Sequence, residues 1–160
     1  MELQFHPAAE IFPLITGDEF NALVDDIRKI GLINDIWLHP DGSILDGRNR
    51  YRACIAAGVE PRFKTWDGVG FAADFVWSLN DRRRHLDGNQ RKLAAARYAI
   101  ELEREGKERQ AVIGTANLTG KCVSNDTDLE IGYSREKAAE KFNESPATVA
   151  RAVKVVKEAA

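Results

Sequence analysis

The chain has 160 residues, a net charge of −2 and 44% hydrophobic residues. This length suits one ordinary domain or two small ones, and the composition is that of a folded globular chain. The near-neutral balance excludes a uniformly basic, histone-like protein, and no apolar run reaches the about 18 residues that a membrane span needs. Because the N-terminus is acidic where a secretory signal would be basic, we expect a cytoplasmic protein with no membrane partner.

Helix and strand signals alternate over the first eighty residues. Apolar residues at helical spacing follow Asp18, which we expect to cap the first helix, and Gly31 ends it. A Pro-Asp-Gly turn at 40–42 predicts a hairpin. The predicted elements are, in order, a helix over 18–31, strands over 36–38 and 43–45, a helix over 48–57, a strand over 61–65 and a helix over 71–79.

The second half of the chain is predicted to be all-helical. A long helix over 90–105 ends at Gly106, and residues 107–132 are poor in large apolar side chains, which predicts a flexible linker. Two short helices follow, the first capped by Ser134. The sequence therefore predicts an α+β fold with two parts, a mixed α/β module over 1–88 and a helical segment over 89–160.

The last two predicted helices have the pattern of a helix-turn-helix over 134–158. Ser145-Pro146 is a strong helix start, and the helix that follows carries short polar and basic residues on its expected outer face. Such residue types suit a recognition helix in the major groove of double-stranded DNA. The alternative is a plain helical hairpin that closes a core. The candidate DNA contacts are Arg135, Ala147, Thr148, Arg151 and Lys154.

A glycine stands between a predicted strand and a predicted helix in the segment Asp46-Gly47-Arg48-Asn49-Arg50-Tyr51-Arg52-Ala53. Backbone N–H groups at a helix N-terminus attract anions, and the helix dipole strengthens the attraction. The arginines in this segment add positive charge. The pattern predicts a phosphate-binding corner, and its alternative is an ordinary β–α turn with surface arginines.

This segment resembles the Gly-Glu-Arg-Arg-x-Arg-Ala box of the ParB N-terminal domain, which has the ParB/sulfiredoxin fold with a small mixed sheet. The segment Ser78-Leu79-Asn80-Asp81-Arg82-Arg83-Arg84-His85-Leu86 resembles that family's Glu-Asn-x-x-Arg-x-x-Leu box. The long helix and the helix-turn-helix follow in the family's order. The resemblance covers about residues 5–105 and 130–158, and it is nearest to short ParB-like proteins of plasmids, phages and integrated elements.

The resemblance implies a site for CTP with Mg²⁺. The implied nucleotide- or phosphate-binding residues are Gly47, Arg48, Arg50, Arg52, Asn80, Arg82 and Arg83. Asn80 would also reach the metal ion through the nucleotide. Leu79 replaces the family's glutamate, and a leucine can neither ligate Mg²⁺ nor orient a water molecule. We therefore expect a nucleotide-responsive protein with weak hydrolysis or none.

Two classes of function remain open at this point. The first is a homodimeric, DNA-binding ParB-like protein, associated with the nucleoid or a plasmid, that acts in partition or transcriptional regulation on a mobile element. The second is a nucleotide-dependent phosphotransferase or NTPase (a CTPase of ParB type), or a nuclease, of the same fold, with Asp46 as its acid/base candidate. Sulfiredoxin chemistry is disfavoured, because Arg48 occupies the position of that family's catalytic cysteine.

Overall fold

The computed structural model describes residues 3–81, 86–117 and 131–159, and the chain divides into two compact units, Met1–His85 and Leu86–Ala160. The first unit contains α1 (Gly17–Ile30), β1 (Ile36–Leu38), β2 (Ile44–Asp46), α2 (Arg48–Ala57), β3 (Phe63–Thr65) and α3 (Ala72–Asn80), preceded by a short 3₁₀ helix, Pro7–Glu10. The second unit contains α4 (Gly88–Asn117), α5 (Ile131–Phe142) and α6 (Pro146–Glu158). The mixed α+β class is confirmed.

A three-stranded sheet in the order β2-β1-β3 is the frame of the first unit. β1 and β2 form the predicted antiparallel hairpin, and β3 pairs parallel to β1. The N-terminal segment adds to the outer side of β2, since the backbone N–H of His6 donates to the carbonyl of Ile44 at 2.9 Å. The helices α1 and α2 pack together, and Ile36, Ile44 and Cys54 are fully buried in the core beside them.

Glycines fix both ends of α2, as the sequence predicts. Gly47 precedes the helix with φ 99° and Gly58 ends it with φ 70°, both in the left-handed region. The start of α1 differs from the prediction, because its N-cap is Thr16 rather than Asp18. Asp18 instead lies in the first turn, where a carboxylate interacts favourably with the helix dipole.

The helix α4 corrects the predicted linker, because it continues through Lys107 to Asn117 instead of ending at Gly106. Arg104 forms an ion pair with Glu101 at 2.6 Å and another with Glu108, so the second pair bridges the glycine. Such pairs and the good helix formers after Gly106 offset the about 1 kcal/mol that an interior glycine costs. The remainder of the predicted linker, 118–130, lies outside the described residues.

The helices α5 and α6 both pack against α4 and against each other. The helix α5 begins at Ile131, so the predicted cap Ser134 lies inside the helix and is fully buried. Ser134 therefore packs inside the second unit and does not cap the helix. Within the described ranges, no helix combines the length and hydrophobicity that a membrane crossing requires.

Candidate functional site

The turn from β2 into α2 is the centre of the candidate phosphate site. Gly47 has φ 99° and ψ 23°, a conformation that side chains of L-residues rarely adopt. A Cβ atom there would lie 3.0 Å from Nη2 of Arg50 and 3.1 Å from its Nε. The backbone conformation therefore favours glycine, and a side chain at this position would also crowd the guanidinium group of Arg50.

Asp46 occupies the middle of this corner. Its side chain is 8% exposed, and its Oδ2 accepts a hydrogen bond from Nη2 of Arg50 at 2.7 Å. Its Oδ1 accepts from Nδ2 of Asn80 at 2.8 Å, and the same Nδ2 donates to the carbonyl of Val76 at 2.9 Å. This carboxylate joins β2, α2 and α3, and it balances the charge of Arg50 inside the protein.

A small pocket opens at the N-terminus of α2 between the 3₁₀ region and α3. Its lining residues are Ala9, Phe12, Asp46, Gly47, Arg48, Val76 and Asn80. Arg48 is held in place because its Nη2 donates to the carbonyl of Phe12 at 2.7 Å. The structure thus brings three of the predicted residues, Gly47, Arg48 and Asn80, to one pocket.

The other predicted arginines differ in their placement. Arg50 lies beside the pocket but is engaged by Asp46, and its Nη1 donates to the carbonyl of Asn34 at 3.2 Å. The guanidinium group of Arg52 lies 4.6 Å from the ring centroid of Phe20 on α1, and it is not among the residues that line the pocket. Arg82 and Arg83 lie outside the described residues. Among the described residues, the pocket is therefore lined by fewer of the predicted arginines than the sequence suggested.

No role was predicted for the 3₁₀ helix that forms one wall of the pocket. Pro7 stands at its first position, and the ring of His6 caps it by accepting the Ala8 N–H at 3.1 Å. A proline after a possible capping residue is a signal for a helix start. Four residues are too few for periodicity to show a helix, which explains why this wall was missed.

In the second unit, a tight turn joins α5 to α6. Asn143 adopts φ 51°, the left-handed conformation that asparagine tolerates better than most residues. Ser145 is the N-cap of α6, as predicted, and its Oγ accepts from the Thr148 N–H at 3.1 Å. Five apolar residues of α5 and α6 are buried at 6% exposure or less, whereas Ala152 is half-buried: Ala138, Ala139, Phe142, Val149 and Val153.

Three of the five candidate DNA contacts share the exposed face of α6. Ala147, Arg151 and Lys154 are exposed, and their spacing places them on neighbouring turns of one side. The Nε of Arg151 donates to the carbonyl of Ala147 at 3.3 Å. The Nζ of Lys154 lies 3.9 Å from Oε1 of Glu158. Thr148 is half-buried beside the cap, with its Oγ1 2.8 Å from Oγ of Ser145.

Arg135 has a different environment from the α6 face. Its Nε lies 4.0 Å from Oε1 of Glu103, a buried carboxylate on α4. The ammonium group of Lys157 approaches the same carboxylate at 3.4 Å. Arg135 thus joins α5 to α4 as part of the packing, a role that the sequence did not indicate.

Comparison with known proteins places the fold. No protein-family model matches the chain, and no match is found among the curated proteins. Among solved structures, the C2221 crystal form of a Pnob8-like ParB-N domain is similar with a TM-score of 0.55 at 18% sequence identity. The alignment covers 94% of this chain and 64% of that chain, so the present sequence spans less than two thirds of its structural relative. The likeness, together with the mixed sheet and its helices, shows that the chain has a ParB-N-like fold.

Proposed function

We propose that the chain is a DNA-binding, ParB-like protein that acts in partition or transcriptional regulation on a mobile element. The single observation that carries this proposal is the exposed face of α6 formed by Ala147, Arg151 and Lys154. A capped helix that presents short and basic side chains outward has the shape and charge to enter a major groove. The ParB-N-like fold of the chain supports the same assignment.

The charge of the α5–α6 segment predicts how strongly one copy of the chain binds DNA. Residues 131–160 contain six basic and four acidic residues, a small excess of positive charge. Because phosphate contacts supply most of the affinity of a DNA-binding protein, one segment of this kind binds weakly on its own. We therefore expect the protein to bind double-stranded DNA as a homodimer.

A salt series of duplex-DNA binding tests the α6 face. Arg151→Ala and Lys154→Ala should each weaken binding and reduce the slope of log affinity against log salt by about one phosphate contact. Lys92→Ala is the matched control, since Lys92 is an exposed base near the start of α4 rather than on α6. Equal affinities for Arg151→Ala, Lys154→Ala and the wild type would contradict the groove assignment.

The pocket at Gly47 is proposed to bind the phosphates of a nucleotide, with CTP as the first candidate. The positive end of the α2 dipole and the guanidinium group of Arg48 supply the attraction. The oxygens of Asp46 and Asn80 are of the kind that Mg²⁺ prefers, so these residues would hold the ion beside the phosphates. With Leu79 next to Asn80, hydrolysis is expected to be weak or absent.

Calorimetry with CTP, ATP and GTP, each with and without Mg²⁺, tests this pocket. We expect one nucleotide to bind and Arg48→Gln to weaken it at least tenfold, because a charged hydrogen-bond donor to phosphate is lost. Arg28→Gln removes an equally charged side chain from the surface of α1, where Arg28 pairs with Asp25, and should leave the affinity unchanged. Absence of binding by all three nucleotides would remove the nucleotide from the proposal.

A second candidate, a phosphotransferase or NTPase, is favoured by one observation. Asp46 is a buried carboxylate that lines the pocket and is held by two hydrogen-bond donors, as an acid/base group would be. Phosphate release in the presence of CTP and DNA separates the two candidates. Turnover by the wild type would support the enzyme, and its absence would support the binding protein.

A further inference from the structure

Two histidines and an aspartate meet at the turn of the β1–β2 hairpin, and none of the three is among the residues that line the Gly47 pocket. His6 belongs to the N-terminal segment that is hydrogen-bonded to β2, whereas His39 and Asp41 belong to the turn itself. The hairpin is closed by a backbone hydrogen bond from the N–H of His39 to the carbonyl of Ser43 at 2.8 Å. Pairing of the N-terminal segment with β2 is therefore what brings a residue distant in sequence to this turn.

The three side chains are close enough to share one ion. One ligand atom from each of His6, His39 and Asp41 lies within 4.8 Å of the other two. The two imidazole rings are stacked, with centroids 4.3 Å apart and ring planes 28° apart. His6 is buried, His39 is half-buried and Asp41 is exposed, so an ion can reach the cluster from solvent on the side of Asp41.

We propose that His6, His39 and Asp41 form a binding site for a divalent transition metal ion of the zinc class. Two imidazole nitrogens and one carboxylate oxygen are a common ligand set for such ions, with water in the remaining position. Metal–ligand bonds of about 2.1 Å in a tetrahedron place ligand atoms about 3.4 Å apart. The atoms must therefore approach each other by about 1.4 Å at most, which the exposed carboxylate and the half-buried ring can supply.

Neighbouring groups in the hairpin turn position the carboxylate of Asp41 beside His39. Asp41 is held in place because its Oδ1 accepts from the N–H of Ser43 at 2.8 Å and from its Oγ at 2.6 Å. The other carboxylate oxygen lies 3.1 Å from Nδ1 of His39.

Metal binding should leave a trace at the start of the 3₁₀ helix. Nδ1 of His6 accepts the N–H of Ala8, so the lone pair of that ring is directed at this amide. Ligation through Nδ1 replaces the amide, and ligation through the other nitrogen places the proton on Nδ1. Either way the hydrogen bond to Ala8 is lost, and the amide resonance of Ala8 should shift.

Titration of the full chain with Zn²⁺, followed by calorimetry, and with Co²⁺, followed by visible absorption, tests the site. We expect one equivalent to bind, with affinity reduced at least tenfold in His39→Gln and in Asp41→Asn. Both changes fall at accessible positions, so neither needs repacking of the core. Asp67→Asn, at an exposed loop carboxylate, is the control and should bind as the wild type does.

Nuclear magnetic resonance completes the test. A shift of the Ala8 amide that follows the Zn²⁺ isotherm and disappears in His39→Gln would support the site. Failure of the wild type to bind either ion would overturn it, as would wild-type affinity in both His39→Gln and Asp41→Asn. In that case the histidine pair only packs the hairpin against the N-terminal segment.

Discussion

At the scale of single residues, Gly47 determines the shape of the pocket. Gly47→Ala should destabilise the protein, because an alanine in the left-handed region costs about 1–2 kcal/mol and its Cβ would contact Arg50 at 3.0 Å. Gly42→Ala is the control, since Gly42 has φ 87° but nothing within 4 Å of an added Cβ. Urea unfolding should show a larger loss for Gly47→Ala, and equal losses would mean that the Arg50 contact contributes nothing.

The buried pair Asp46–Arg50 is the second test at this scale. Asp46→Asn should lower the free energy of unfolding by about 3 kcal/mol, because it leaves the guanidinium group of Arg50, 17% exposed, without its counter-charge. The exposed pair Asp25–Arg28 provides the comparison, and Asp25→Asn should cost under about 1 kcal/mol. A small effect of Asp46→Asn would show that solvent reaches Arg50.

The arginines show where residue-level prediction stops. The sequence indicates clusters of positive charge but not the partner of each arginine. Arg50 meets the carboxylate of Asp46 at the end of β2, Arg52 lies over the ring of Phe20 on α1, and Arg135 approaches Glu103 on another helix. Each of these partners is set by tertiary packing, so an interpretation of all arginines as ligands for external anions overestimates the site.

At the scale of helices and strands, prediction succeeded where glycine, serine or proline residues mark the ends of a helix clearly. The bounds of α2 follow from two glycines in left-handed conformations, and the start of α6 follows from Ser145-Pro146. It was wrong at Gly106, because glycine also occurs inside helices when ion pairs and packing compensate for it. The meeting of His6 with His39 could not be predicted either, since a single isolated bridge between the N-terminal segment and β2 creates it.

The start of α6 gives a prediction for a helix cap. Ser145→Ala should destabilise the protein by about 1 kcal/mol, because the Thr148 N–H loses its acceptor at 3.1 Å. Ser145→Asp restores an acceptor and should recover most of the loss. Thermal unfolding measured by circular dichroism compares the three proteins, and an aspartate variant no more stable than the alanine variant would contradict the capping role.

The pairing of β1 with β3 predicts a dependence on pH. A hydrogen bond from Lys64 lowers the pKa of Asp35 below its ordinary value of 3.8, against the opposing effect of desolvation, and Arg62 adds a further hydrogen bond. A carboxyl group with a lowered pKa in the folded state stabilises the protein above the unfolded pKa and loses that contribution as pH falls through the folded one.

Asp35→Asn should therefore lower the free energy of unfolding at pH 6 by more than at pH 3. Urea unfolding of the wild type and the variant at both values, each at two salt concentrations, measures the difference. Because the bridging groups are exposed to solvent, high salt should reduce the effect. A difference between the two proteins that stays constant with pH would show that the ion pairs of Asp35 do not stabilise the fold.

At the scale of the whole molecule, the two units have separate cores and can be observed by separate signals. Trp37, Trp66 and Trp77 all belong to the first unit, so tryptophan fluorescence reports that unit alone. The second unit contains the 30-residue α4 as well as α5 and α6, and so holds most of the helical residues described. Unfolding of the second unit therefore gives most of the loss of helical circular dichroism. The two measurements can therefore tell whether the units unfold together.

Leu102→Ala places a defect in the second unit only. Leu102 is fully buried on α4, the helix against which α5 and α6 pack, so its truncation should cost about 2–5 kcal/mol. We expect the circular dichroism transition in urea to move to lower concentration while the fluorescence transition stays in place. DNA binding should weaken, because the α6 face loses its support, whereas nucleotide binding at the Gly47 pocket should survive. A parallel shift of both transitions would instead show that the chain unfolds as one cooperative body, and the DNA and nucleotide sites would then be coupled through its stability.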